Sequence, residues 1–210
     1  MGAAVVIWWA RAGTDRHTRA RSLLRTAAAD AAGARPADVC VGRARSGAPR
    51  LSGAAEGVFA SVSHTRGLVV VAVAGPRTPT CGVGVDAEFI RPLEAVALAE
   101  RWFTADEAAW VRALPPGLRP TGLLDLWTRK EAAGKALGLG LAGGGLRRAV
   151  GAPPPGSLPG PSGQLNRLPH DPELSGAVLP APPGYVLACA VRGAGTPPPA
   201  VIVAERQDPW

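Results

Sequence analysis

Two short stretches carry side chains that could do chemistry together. In Gly82-Val83-Gly84-Val85-Asp86-Ala87-Glu88 the pattern alternates with the period of a strand. Asp86 and Glu88 therefore share one face with Gly82 and Gly84, while Val83, Val85 and Ala87 take the other. Two carboxylates one strand step apart, on a face that two glycines leave sterically open, suit a hard cation: Mg²⁺ ahead of Mn²⁺ or Ca²⁺, since no His or Cys lies beside them. In Leu126–Gly138, Trp127, Glu131 and Lys135 recur at i, i+4 and i+8 and line one helical stripe. An i,i+4 Glu–Lys ion pair is an ordinary surface feature, but it does not account for a tryptophan in the same row. A third carboxylate brought from a helix to two on a strand makes an all-oxygen cation site with room for phosphates. A neighbouring ammonium can neutralise a leaving charge, so the arrangement suits phosphoryl transfer.

The lysines are themselves a signal. Of 23 basic residues only Lys130 and Lys135 are lysines, five positions apart in a chain that otherwise uses arginine. A lysine ammonium is a compact charge whose pKa can shift, which arginine does not offer. Upstream, Ser61-Val62-Ser63-His64-Thr65 ends a strand beside Arg66, where Ser63 and His64 could contact a phosphate.

The elements that must hold these residues follow from the same sequence. Val5–Trp9 reads as a strand, and Asp15–Ala32 as a helix with Asp15 as N-cap and Gly33 just past its end. Residues 34–57 read as loop. Phe59–Ser63 and Leu68–Ala74 are strands joined through His64–Gly67, and Gly75–Pro79 is a breaker. After the Gly82–Glu88 strand come a helix over Pro92–Phe103 and a second opened by a Thr104–Glu107 capping box. A long helix follows over Leu123–Leu137. Glu107 is accounted for by that box. Residues 143–172 are irregular and rich in Gly and Pro, and Tyr185–Val191 and Pro199–Ala204 are late strands. The order implies an α+β fold of two similar halves, 1–78 and 79–210.

Composition narrows the class. At 210 residues and 47% hydrophobic the chain can bury a core. No uncharged apolar run approaches the roughly 18 residues of a membrane span. The apolar start lacks a basic segment ahead of it and a small-residue cleavage site, so a secretory signal is not expected. Three scattered cysteines exclude a disulfide scaffold and offer no zinc spacing. A cytoplasmic protein is expected. Residues 1–80 hold 11 arginines against 4 carboxylates, and the rest of the chain is balanced. This stripe, which includes Arg16, Arg19 and Arg21, attracts phosphates, nucleic acid or an acidic protein. With one tyrosine and three dispersed phenylalanines, a stacking platform for nucleic acid is missing.

Taken together, "SVSHT", "GVGVDAE", "FTADE" and "WTRKEAAGK", in this order and spacing, resemble the 4′-phosphopantetheinyl transferases of the larger, surfactin-type class. The resemblance implies a monomer of two α+β halves related by a pseudo-two-fold, with coenzyme A at their interface. It also implies transfer of the phosphopantetheine arm to a serine of an apo acyl or peptidyl carrier protein, releasing 3′,5′-ADP. By resemblance Asp86, Glu88 and Glu131 match the Mg²⁺ ligands, Glu131 also the base, and Lys135 the lysine at the leaving phosphate. Ser63 and His64 match coenzyme A contacts, and Lys130, matching the lysine before the catalytic Glu, is expected at the coenzyme A site in a positioning rather than a reacting role. Where the family commonly has Gly-Lys-Pro, this chain has Gly47-Ala48-Pro49, with Arg45 or Arg50 as substitutes, and Arg16 is expected to add to coenzyme A binding. The competing readings are an arginine-rich nucleic-acid-binding module, which leaves the oriented carboxylates unexplained, and a Mg²⁺-dependent phosphohydrolase using the same three carboxylates.

Overall fold

The computed structural model describes residues 4–140, 144–193 and 198–206. Its first sheet begins with β1 (Ala4–Arg11), a Val/Ile/Trp run, followed by α1 (Arg16–Ala32). The Asp15 side chain accepts from Thr18 N–H, and Gly33, at φ 69°, returns its N–H to Ala29 and Asp30 carbonyls. Both ends of α1 are thus capped as the sequence predicts. Strands β4 (Phe59–Thr65) and β5 (Leu68–Ala74) form a hairpin turning at Arg66-Gly67.

Residues 34–57 depart from the expected loop. Strands β2 (Val39–Arg43) and β3 (Pro49–Gly53) form a separate hairpin beside α1, turning near Gly47 at φ 84°. Only Val39 and Val41 of β2 are buried, so the stretch carries too little apolar alternation to read as strand.

The second sheet contains β6 (Gly82–Phe89), β7 (Asn166–Leu168), β8 (Asp171–Leu179) and β9 (Tyr185–Arg192). Between β6 and β7 lie α2 (Ala95–Trp102), α3 (Ala105–Ala113) and α4 (Arg119–Ala136). The Thr104–Glu107 capping box forms in full. Helix α2 starts three residues after Pro92. Helix α4 starts four residues before the expected Leu123, because Pro120 fits its first turn. The stretch expected to be irregular, 143–172, holds all of β7 and the first two residues of β8, whose apolar period is masked by Pro172, Ser175 and Gly176. Of that stretch, residues 144–165 hold a single 3₁₀ turn and otherwise no regular element.

The strand orders are β10-β1-β5-β4 and β6-β9-β8-β7, where β10 (Ala200–Glu205) runs parallel to β1. The last strand therefore completes the first sheet. The two four-stranded sheets share one strand order over three neighbours, the first strand beside the last and the last beside the middle one, as β1-β5-β4 and β6-β9-β8. Every residue of β5 is buried because it is covered twice. Val69, Val71 and Val73 pack on α1, while Leu68, Val70, Ala72 and Ala74 pack against Val83, Val85, Leu187 and Cys189 of the second sheet. The outer face of that sheet is covered by Leu126, Ala132, Ala133 and Ala136 of α4. The layers run α1, sheet, sheet, α4. Among the described residues no helix is long and apolar enough to cross a membrane.

Candidate active site

The site grows from the meeting of β4, β6 and α4. Strand β6 is an edge strand, so alternate N–H groups on its outer side have no ladder partner. Hydroxyls of β4 take them at a matching two-residue step: Val85 N–H donates to Ser61 Oγ at 3.1 Å, and Ala87 and Phe89 N–H donate to Ser63 and Thr65 hydroxyls at 3.3 Å each. The two sheets are joined along this edge by side-chain oxygens.

On the α4 side, Gly82 and Gly84 do lie on the Asp86 face, but they do not leave it open to ligands. A Cβ at either would run into the helix backbone at Ala136 and Ala132 carbonyls. Their lack of a side chain lets α4 lie directly on β6. The stripe of Trp127, Glu131 and Lys135 is then half-buried, and Lys135 Nζ donates to Asp86 Oδ1 at 2.8 Å and to Val85 O at 3.0 Å.

Asp86 is the centre of the arrangement. It is 6% exposed, and its Oδ1 also accepts from Ser63 Oγ at 2.8 Å, while Oδ2 is buried with no partner. Glu88 accepts from Arg91 at 3.0 Å and lies a long 3.5 Å from Thr65 Oγ1. Desolvation raises the Glu131 pKa, and the carboxylates of Asp86 and Glu88 push it further up, against the pull of Lys135. Three carboxylates thus feel one another. Among the described residues no three acidic, imidazole or thiol groups are gathered closely enough to form a ready-made metal cage. Lys135 and Arg91 hold two of the carboxylates instead. The donor chemistry nevertheless fits a hard divalent cation: the groups are all oxygen and mutually repelling, and one buried oxygen lacks any partner.

Asp86 and Lys135 lie at one side of a cleft of about 650 Å³. Its other walls are His17 and Arg21 of α1, Arg43 and the Gly47-Ala48-Pro49 turn of the β2–β3 hairpin, and His64 of β4. The imidazoles of His17 and His64 meet edge to face, 5.2 Å between centroids. Among the ionisable groups of this lining, Arg21, Arg43, Lys135 and the two imidazoles outnumber Asp86, so the cleft suits a polyanion.

The sequence-predicted residues divide. Asp86, Lys135, Ser63 and His64 line the cleft; Glu88 and Glu131 are coupled to Asp86 but do not. Ser63 is 7% exposed and has its hydroxyl engaged by Asp86 and Ala87 N–H. Arg16 and Arg50 are exposed and outside the lining; Arg21 and Arg43 are the arginines that reach it. Arg21 sits four residues beyond His17, on the same face of α1, and that spacing is the signal separating it from Arg16. Arg43 could not be singled out, since its hairpin was not legible as strand.

Lys130 is a correction. Its side chain is fully buried, donating to Glu107 Oε2 and to Arg148 O, each at 2.5 Å, and lying 4.7 Å from the Phe103 ring centroid. One residue from Glu131 turns it about 100° off the stripe and into the core. It takes no part in the cleft.

Comparison with known proteins falls on this region. Residues 82–157 match the model of the 4′-phosphopantetheinyl transferase superfamily. The match contains Asp86, Glu88, Glu131 and Lys135. The likeness is to phosphopantetheinyl transferases. The chain is 32% identical over 130 residues to the 4′-phosphopantetheinyl transferase HetI of Nostoc sp., covering 60% of this chain and 53% of that protein. It is 36% identical over 84 residues to the 4′-phosphopantetheinyl transferase psf-1 of Bacillus pumilus, covering 40% of this chain and 34% of that one. The aligned stretches thus span about half of one curated relative and a third of the other.

Proposed function

We propose that this protein transfers the 4′-phosphopantetheine group of coenzyme A to a serine hydroxyl of an apo acyl or peptidyl carrier protein, as a holo-carrier-protein synthase of the surfactin-type class. The observation that carries the reading is that Asp86 and Lys135, with Glu131 beside them, border a cleft into which two arginines and two histidines reach. Such a lining suits a ligand with a pyrophosphate and a further phosphate. In this reading the two halves are related by a pseudo-two-fold, and the protein acts as a cytoplasmic monomer without nucleic acid.

The roles follow from position and charge. His64, Arg21 and Arg43 bind phosphate oxygens, and the hairpin turn at Ala48 bounds the ligand without adding charge. Asp86, Glu88 and Glu131 would hold Mg²⁺, which supplies charge neutralisation at the pyrophosphate when bound. Glu131, with its raised pKa, accepts the serine proton as the serine oxygen forms its bond to phosphorus. The bond from that phosphorus to the oxygen of 3′,5′-ADP breaks, and Lys135 stabilises the charge developing there.

The test is incubation with coenzyme A, Mg²⁺ and a panel of apo carrier proteins, followed by mass spectrometry of the carriers. Gain of the phosphopantetheine mass with stoichiometric 3′,5′-ADP supports the reading. Release of 3′,5′-ADP at the same rate without any carrier would make the protein a phosphohydrolase.

A further inference from the structure

The serine–threonine strip of β4 does more than close the edge of β6. Ser61, Ser63 and Thr65 each accept an N–H of β6, at Val85, Ala87 and Phe89. An accepting hydroxyl still has its own proton to place. For Ser63 that proton goes to Asp86 Oδ1 at 2.8 Å, and Thr65 faces Glu88 Oε2 in the same relation at a looser 3.5 Å. Ser61 stands opposite Gly84, which has no side chain to receive it. The repeat is set by register: each hydroxyl meets the N–H of one residue and faces the residue before it, which is a carboxylate for Ser63 and Thr65 and Gly84 for Ser61.

We propose that Ser63 is a positioning residue that fixes which oxygen of Asp86 is offered to a divalent cation. Ser63 and Lys135 together fill Oδ1, and the buried Oδ2 is left with no partner. The hydroxyl is itself anchored by Ala87 N–H, so the carboxylate cannot rotate without breaking two linked bonds. A chain of N–H to hydroxyl to carboxylate polarises in one direction and strengthens each link. Hydrogen bonds to metal-ligating carboxylates commonly set affinity through this kind of orientation. The inference rests on the cation reading of Asp86, Glu88 and Glu131, and it moves Ser63 from contacting coenzyme A to orienting a ligand group.

The experiment measures Mn²⁺ binding directly, by the electron paramagnetic resonance signal of free Mn²⁺, with and without coenzyme A. Ser63→Ala should weaken binding roughly tenfold or more, and Ser63→Thr should restore most of it. Ser61→Ala also removes an acceptor of β6 but faces no carboxylate, so it should leave Mn²⁺ affinity unchanged. In turnover, Ser63→Ala should raise the Mg²⁺ needed for half-maximal rate, with KM for coenzyme A unaltered at saturating Mg²⁺. Unchanged Mn²⁺ affinity with a raised KM for coenzyme A would overturn the proposal and return Ser63 to a phosphate contact. Equal Mn²⁺ losses in Ser61→Ala and Ser63→Ala would overturn it as well, since general loosening of the strip would then explain both. A wild-type protein whose Mn²⁺ affinity depends on Ser63 as above but which modifies no carrier would sink the transferase reading and leave this one standing.

Discussion

Lys130 and Lys135 stand five residues apart on α4, and each donates to a carboxylate, yet their surroundings are opposite. Around Lys130 every group is answered. Glu107 receives Lys130 and Thr104 N–H on Oε2 and Val150 N–H on Oε1, and both side chains are essentially sealed, at 0% and 1% exposure. Around Lys135 the pair is left incomplete: the lysine is 26% exposed, Asp86 keeps one oxygen bare, and a cleft opens beside them. The first pair holds helices α3 and α4 to residues 148–150. The second is placed where an incoming charge can change it. A buried ion pair is a structural device when its acceptors are all filled, and a candidate for chemistry when they are not.

The largest effect should come from the closed pair. Lys130→Met keeps the length and removes the charge, leaving Glu107 buried without its cation. Stability should fall by about 3–5 kcal/mol in chemical denaturation. Surviving folded protein should keep the coenzyme A KM of wild type. A loss of turnover without a loss of stability would erase the contrast between the two lysines.

At the open pair, Lys135→Ala should leave stability less affected and lower kcat by roughly 10²–10³-fold, about 2.7–4 kcal/mol of barrier. Lys135→Arg should recover only part of it, because a planar guanidinium is a poor proton donor. Steady-state kinetics across pH measures both, and full recovery by arginine would reduce the role to charge alone. Asp86→Ala is not the harmless deletion that an open strand face predicts, since it strands two donors, Ser63 and Lys135.

A third charge on α4 sharpens the comparison through pH. Asp125 is 4% exposed, and burial pushes its pKa up to about 6 against the pull of Arg129 and the Gly160 N–H. Its folded form therefore holds a proton more tightly than the unfolded chain. Between about pH 4 and 6 the native state binds more protons, so this group's contribution to stability falls as pH rises through that window. Asp125→Asn should remove a slope worth on the order of 1–3 kcal/mol, read as Tm against pH across that same window, from about 4 to 7. An unchanged slope would mean that other groups set it.

The smallest effect concerns the cleft's outer wall. Replacing Arg21 and Arg43 together by glutamine should raise KM for coenzyme A roughly 3–10-fold at low salt, the difference shrinking as salt rises. The same change at Arg16 and Arg50, which lie outside the lining, should do less.

These contrasts mark where sequence was sufficient. The β6 alternation, the caps of α1, the Thr104–Glu107 box and the Trp127–Glu131–Lys135 stripe are local patterns of fixed period, and each forms where the pattern puts it. What escaped depends on distant neighbours. The glycines of β6 look like room for a ligand until α4 is seen lying on them. The β2–β3 hairpin carries few apolar residues because only one side of it is covered, and so it reads as loop. The burial of Lys130 was partly legible from helical geometry, but its partner Glu107 lies on another helix, and nothing local pairs them.

Strand β10 sets an order of assembly. Val5 aligns with Val201 and Ile7 with Val203, so β1 lies between one neighbour that follows it closely and another that comes far later in the chain. During synthesis β1, α1, β4 and β5 can come together as soon as they emerge, but one edge of β1 stays unpaired until residues 200–205 follow. That waiting edge belongs to an apolar Val-Val-Ile-Trp-Trp strand, the kind that pairs with stray partners. The slow, long-range closure of this sheet is then the stage at which the nascent protein is most exposed to aggregation.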